Sequence, residues 1–246
     1  MLVERGLAST RARAQALLLA GQVRVGEGDG ARLDRKPGDL VDPDVPLALL
    51  APPPYVSRGG EKLAGALDAF AIDPAGLACL DVGASTGGFT DCLLQRGAAR
   101  VYALDVGRGQ LAESLRVDPR VVSMERTHAN RLDPDAPDRL VLPEPAALTV
   151  ADVSFISLTR LLRGMAAATA PNGTIVPMVK PQFELSPKDV PKGVVRDPAL
   201  HQVAVDRVAA CARDLGLDVV GSVESPLVGP SGNHEFFLHL RVPAAA

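Results

Sequence analysis

The residues of this chain that can do chemistry stand at the ends of apolar, β-type runs. "LDVGASTGGFTD", residues 80–91, ends a strand in Asp81, turns through small and glycine positions, and opens a helix at about Gly87. The spacing of Gly83, Gly87 and Gly88 is not the GxGxxG that cradles a pyrophosphate. An acid beside a glycine turn suits instead a ligand with a cationic amino-acid tail and no phosphate, for which S-adenosylmethionine (SAM) is the obvious candidate; a plain strand-to-helix turn is the alternative. "YALDVG" ends the next strand in Asp105, placed to hydrogen-bond ribose hydroxyls. "MERTHANRLD" follows the third strand, where Asn130 or Asp133 could touch an adenine, with a solvated loop as the plainer reading. Asp152 stands where the fourth strand, in "TVADVSFISL", runs out, and Lys180 ends the fifth, in "VPMVKPQFE". The chain has five lysines against 21 arginines, and a lysine locked before Pro181 at a strand end offers what arginine cannot, a proton lost near neutral pH. Another, Lys62 in "VSRGGEKLAGALDAF", is read on the first turn of an amphipathic helix, where the helix dipole makes a cation a poor cap.

These strand ends must be brought to one edge. Beyond "APPPY", residues 51–55, apolar runs alternate with helical stretches at 87–96, 109–115, 157–170 and 199–215. The alternation predicts a doubly wound α/β sheet, mostly parallel, whose last strand runs antiparallel because no helix precedes it. Such a sheet gathers Asp152 and Lys180 beside the glycine turn. Three consecutive prolines mark 51–60 as a linker between a small α+β unit, 1–50, and a larger domain, 61–246. In the small unit a helix is expected from an N-cap at Ser9 to Gly21, and "VPAAA" reads as a frayed tail. Arg5, Arg11, Arg13 and Arg24 face a single acid, Glu4, in the first 25 residues, which is either a solvated helix face or a phosphate-contacting surface.

Composition narrows the class. At 246 residues and 47% hydrophobic content the chain can bury a core. It has neither a membrane-length apolar run nor a signal-peptide layout, so the expectation is a cytoplasmic protein without stable membrane association. Cys79, Cys92 and Cys211 have no metal or disulfide spacing and read as small core residues. A net charge of −3 argues against a general nucleic-acid binder but not against a local basic face.

Lys62, Asp152, Lys180 and Glu235, with the glycine turn, resemble the K-D-K-E set of the FtsJ/RrmJ-type ribose 2′-O-methyltransferases. The ordered series "VSRGGEKL", "DVGASTGGFTD", "ADVSFISL", "VKPQFE" and "GNHEFFL" behind a small N-terminal unit is similar to the TlyA family, the hemolysin-like ribosomal RNA 2′-O-methyltransferases, over nearly the whole chain. The resemblance implies a Rossmann-like SAM-dependent methyltransferase acting on ribosomal RNA or ribosomal subunits. It also implies an alpha-L type RNA-binding domain in "LVERGLASTRARAQALLLAGQVRV", although relatives carry several more residues before its first helix.

By the same resemblance SAM is contacted by Asp81, Gly83, Ser85, Thr86, Gly87, Gly88, Phe89, Asp105, Asn130 and Asp152, and RNA by Arg5, Arg11, Arg13, Arg24, Arg58, Lys188 and Lys192. Lys180 is the implied base, Lys62 lowers its pKa or orients the hydroxyl, Asp152 positions the ammonium, and Glu235 orients Lys62 or the ribose. A lysine near a second ammonium, partly desolvated, would titrate below its usual 10.4. "SRGG" then reads as a hinge carrying Lys62 to the active edge, the loop 183–198 as a segment that touches RNA or closes over it, with a plain mobile surface loop as the alternative, and 225–236 as a second loop whose glycines let Glu235 approach the site. No metal is required. The competing expectations are a membrane-lytic protein, an inactive RNA-binding assembly factor and a small-molecule methyltransferase.

Overall fold

Strand-forming and helix-forming runs alternate along most of the chain, and a computed structural model describes them over residues 1–19, 21–28, 31–51, 53–229 and 231–244. The chain divides into two compact units, Met1–Pro53 and Pro54–Ala246. Pro52 of the linker, Pro230 of the second loop and Ala245 and Ala246 of the tail lie outside the described residues.

In the first unit, helix α1 (Arg11–Leu19) precedes two short strands, β1 (Val23–Val25) and β2 (Leu47–Leu49), which pair antiparallel with Val23 opposite Leu49. The helix is capped one residue later than expected: Thr10 Oγ1, not Ser9, accepts the Arg13 amide at 3.1 Å. Leu2, Ala8, Leu17, Val23 and Val25 form its small core.

The second unit takes in residues 54–60, which the prolines mark as linker. Gln95 Nε2 donates to the Pro54 carbonyl at 2.8 Å and the Val56 amide donates to Asp91 Oδ2 at 2.8 Å, so this stretch is bound to the domain's own helix. Helix α2 (Arg58–Phe70) starts within "SRGG", which puts Lys62 on its second turn rather than its first. The double glycine is therefore helix and not hinge. Gly60 is required by close approach, since a Cβ there would lie 2.3 Å from the Tyr55 ring.

The remaining elements are β3 (Ala78–Val82), α3 (Gly88–Gln95), β4 (Arg100–Leu104), α4 (Glu113–Arg116), β5 (Val121–Met124), β6 (Ala146–Ala151), α5 (Leu162–Ala168), β7 (Thr169–Val179), α6 (Pro181–Glu184), α7 (Pro198–Asp214), β8 (Asp218–Glu224) and β9 (Phe236–Arg241). The seven-stranded sheet runs β5-β4-β3-β6-β7-β9-β8 and is parallel except for β9, which lies antiparallel between β7 and β8 as expected. Two expected helices are shorter than their patterns: Gly109, at φ +64°, cannot sit in a right-handed helix, and Thr169 is already paired with Ala146 in the sheet.

Strand alternation sends neighbouring residues to opposite layers. Cys79, Val101 and Leu148 pack with α2, α3 and α4, while Leu80, Tyr102 and Ile175 pack with α5 and α7. Burial pushes the Cys79 and Cys92 thiols up to about 12 and about 11, in keeping with core residues. From β3 the chain crosses through α3 to β4 on one side, and from β6 through α5 to β7 on the other. The two strand ends thus open a crevice at the point where the winding reverses.

Candidate active site

At that point the turn after β3 is drawn tight. Gly83 and Gly87 adopt φ +86° and +95°, which favour glycine, and a Cβ on Gly83 would come within 2.5 Å of the Asp152 carbonyl oxygen. A Cβ on Gly88 would meet Ser57 Oγ at 2.2 Å, so the start of α3 is pressed against the start of α2. The turn walls a cavity of about 570 Å³ through Gly83, Ala84, Ser85, Thr86, Gly88 and Phe89. Its remaining lining is Ser57, Arg58, Gly59, Lys62, Asp152, Ser154, Lys180 and Glu235.

The four acidic and basic side chains arrive from four elements and form two pairs. Lys62, from α2, is in an ion pair with Glu235, which precedes β9, and both are buried. Lys180 Nζ lies 2.6 Å from Asp152 Oδ1 and donates to Ser154 Oγ at 3.0 Å. It also lies 6.0 Å from the Phe183 ring centroid. Each ammonium therefore faces its own carboxylate.

The other expected cofactor residues are placed unequally. Asp81 shares the face of Cys79 and so points at α3, where Thr90 Oγ1 donates to its Oδ2 at 2.7 Å; its Oδ1 is buried with no hydrogen-bond partner. Burial pushes this carboxyl up to about 7, and Asp81 does not line the cavity. Gly87 is likewise turned away, against Leu115. Asp105 accepts the amides of Ser85 at 2.8 Å and Gly107 at 2.6 Å, beside a narrow cleft behind the turn that Gln110 also lines. Asn130 is exposed on a 3-10 turn, Ala129–Leu132, and lines neither space.

Of the basic residues expected to meet RNA, Arg11, Arg13 and Arg24 are exposed on the first unit. Arg5 is engaged within that unit, donating to the carbonyls of Val45, at 2.7 Å, and Pro43. Arg58, on the cavity wall, donates to the Val228 carbonyl at 2.8 Å. Lys188 and Lys192 are exposed on two 3-10 turns and do not line the cavity.

Four residues that the sequence reading missed surround the site. Ser154 bonds Lys180. Phe155 is 92% exposed at φ +64°, with its ring 5.2 Å from that of Phe183. Glu184 is buried and accepts from Ser157 and Leu158. Asn233 ties the two active-edge loops together, accepting the Val195 amide at 3.0 Å and donating to the Gly193 carbonyl at 2.9 Å. Phe155 left a trace in the sequence, an aromatic residue at a strand end in a chain with only 3% aromatics. Among the described residues no cluster of three or more His, Cys, Asp or Glu is placed to hold a metal.

Comparison with known proteins agrees with this architecture. The FtsJ-like methyltransferase family matches residues 55–242. The 16S/23S rRNA (cytidine-2′-O)-methyltransferase TlyA of Mycobacterium tuberculosis (strain CDC 1551 / Oshkosh) is 51% identical over 98% of this chain and 87% of its own length. This chain belongs to the TlyA family of FtsJ-like methyltransferases. The structure of a candidate hemolysin from Streptococcus thermophilus is 40% identical, with a TM-score of 0.74 over 98% of this chain and 86% of that one. At the level of fold alone, a candidate SAM-dependent methyltransferase from Listeria monocytogenes superposes at a TM-score of 0.54 with 12% identity, over 75% of this chain and 98% of that one. The family's fold thus accounts for the cavity at the β3–β6 crevice, where the four charged residues and the glycine turn meet.

Proposed function

We propose that this TlyA-family chain transfers a methyl group from SAM to a ribose 2′-hydroxyl of ribosomal RNA, the type of reaction for which its M. tuberculosis relative is named. The observation that carries the reading is the shared cavity: Lys62, Asp152, Lys180 and Glu235 stand in it with the glycine turn. The residues fit SAM. Asp152 lines the cavity beside the turn, where its carbonyl oxygen fills the space a Cβ on Gly83 would need, and it brings to that wall the negative charge that a cationic amino-acid tail requires. The Gly83–Phe89 turn with Asp152 would hold that tail, and Asp105 the ribose.

Bound SAM supplies a methyl group on a sulfonium with a good leaving group, so the protein's task is to aim and deprotonate a weak nucleophile. Lys180 Nζ is the proton acceptor, held at its place by Asp152 and Ser154. Glu235 fixes Lys62, whose ammonium orients the hydroxyl. The exposed Phe155 ring gives an unstacked base a face to lie on. Arg11, Arg13 and Arg24 of the first unit, an alpha-L type RNA-binding domain in this reading, contact phosphates. The protein acts in the cytoplasm, on ribosomal subunits.

The test is to map 2′-O-methyl positions on ribosomal RNA from cells with and without the gene, then with Lys180→Ala supplied in its place. The wild-type gene restores the modification. Lys180→Ala lowers transfer by about 10²–10⁴-fold, the usual worth of an acid–base group, with SAM binding intact. Retained activity in Lys180→Ala would overturn the base assignment.

A further inference from the structure

We infer that Glu184 is a positioning residue for methyl transfer, clamping the segment that carries Asp152, Ser154 and Phe155 onto the segment that carries Lys180. The inference rests on the reading of Lys180 as the base. Strands β6 and β7 are parallel neighbours whose pairing ends with Ala151 opposite Pro177. Past that point no ladder of backbone hydrogen bonds fixes one segment against the other, yet Asp152 and Lys180 both lie past it. Side-chain contacts take over in register: Asp152 and Ser154 on Lys180, Phe155 on Phe183, and Ser157 on Glu184.

Glu184 makes two such joins at once. One carboxylate oxygen accepts the Ser157 hydroxyl at 2.5 Å and the other accepts the Leu158 amide at 2.7 Å, with the residue only 2% exposed. Its own backbone is pinned from α7, where Arg207 donates to the Glu184 carbonyl at 2.5 Å. Burying a carboxylate is costly, and burial raises the Glu184 carboxyl above its ordinary range. Packing alone would be served better by an apolar residue. What a carboxylate adds is two acceptors in one plane, matched to a hydroxyl and an amide on the opposing segment.

The held segment is also strained. Phe155, two residues before Ser157, adopts φ +64°, and a non-glycine residue stays in that region only when its surroundings enforce it. The clamp at Ser157 and Leu158 enforces it from one side, and Asp152, held by its backbone amide on the Val82 carbonyl at 2.9 Å, from the other. Releasing Glu184 lets Phe155 relax, and the relaxation moves Ser154 off Lys180.

The experiment is single-turnover methyl transfer by the full-length protein on ribosomal RNA at saturating SAM. Glu184→Ala is expected to lower the rate about 10- to 100-fold, the effect of a misplacement of roughly 1 Å, with SAM affinity changed less than about threefold. Glu184→Gln, which keeps an acceptor for Leu158 and a partner for Ser157, is expected to recover the rate to within about threefold, and Ser157→Ala to lose several-fold. In a Lys180→Ala background, Glu184→Ala is expected to cost nothing further. A wild-type rate in Glu184→Ala, a Gln variant no better than Ala, or a rate loss that only follows lost SAM affinity would each overturn the inference. Should Glu184→Ala fail to fold, wild-type rates in Ser157→Ala would overturn it equally. A slow Glu184→Ala beside an active Lys180→Ala would overturn the base assignment instead.

Discussion

Replacing Asp81 with asparagine measures what burying this carboxylate costs the fold. The carboxyl is fully buried, one oxygen is bonded to Thr90 and the other has no partner, and burial raises its pKa to about 7. Between the ordinary aspartate value of about 3.9 and about 7, the folded protein keeps a proton that the unfolded chain has lost. Stability therefore falls as pH rises through that window, and the full cost is present above it. At 1.36 kcal/mol per pH unit the upper bound is about 4 kcal/mol. The new amide can accept from Thr90 and carries no charge, but its NH₂ takes the place that lacks a partner, at about 1–3 kcal/mol. Asp81→Asn is accordingly expected to be more stable than wild type by about 1–3 kcal/mol at pH 8, with the advantage gone near pH 4. Urea unfolding from pH 4 to 8 without SAM measures it. The same variant should bind SAM within about threefold of wild type, since Asp81 faces α3 and does not line the cavity. A stability difference that does not change with pH, or a variant less stable at pH 8, would refute the reasoning.

Three further outcomes follow from the same geometry. Lys62→Ala and Glu235→Ala should each destabilise the protein by about 3–5 kcal/mol, because each leaves a buried charge unpaired, while the double variant loses less than either single one and stays inactive; thermal unfolding decides. Replacing Arg11, Arg13 and Arg24 together with alanine should flatten the dependence of log affinity for ribosomal RNA on log salt by about 2–3, with SAM affinity unchanged, in filter-binding titrations. Among the described residues no helix is long and apolar enough to cross a membrane, and the protein is expected to release no dye from lipid vesicles with or without SAM. Release would favour the lytic activity that the hemolysin label implies.

The sheet was legible because apolar β-type runs, glycine turns and the linker prolines each act locally. Strand ends carrying Asp81, Asp105, Asp152 and Lys180 could be placed on one edge from the alternation alone. What pattern could not supply is the direction of each side chain. Asp81 faces α3 because it shares a strand face with Cys79, a consequence of register that became visible only once α3 was known to pack on that face. "SRGG" looked like a hinge because glycine is permissive, yet at Gly60 the requirement is room for the Tyr55 ring. The pairing of Lys62 with Glu235 joins residues 173 apart in sequence, and nothing local distinguishes it from a pairing with Asp152.

Asp152 shows how, in the proposed reaction, the methyl donor and the base would be built together. Its carbonyl oxygen fills the space that a Cβ on Gly83 would need, and its carboxylate meets Lys180 at 2.6 Å. One residue therefore abuts the glycine turn with its backbone and holds Lys180 with its side chain. A shift of the β6 end toward either neighbour would open a gap at the other, so the spacing between the glycine turn and Lys180 is set by a single residue at the end of a central strand. Aligning a methyl group with a hydroxyl demands that kind of shared footing, because in-line transfer loses rate steeply with small errors of position. Glu184 and Asn233 extend the footing outward, each fixing a loop that the sheet itself does not reach.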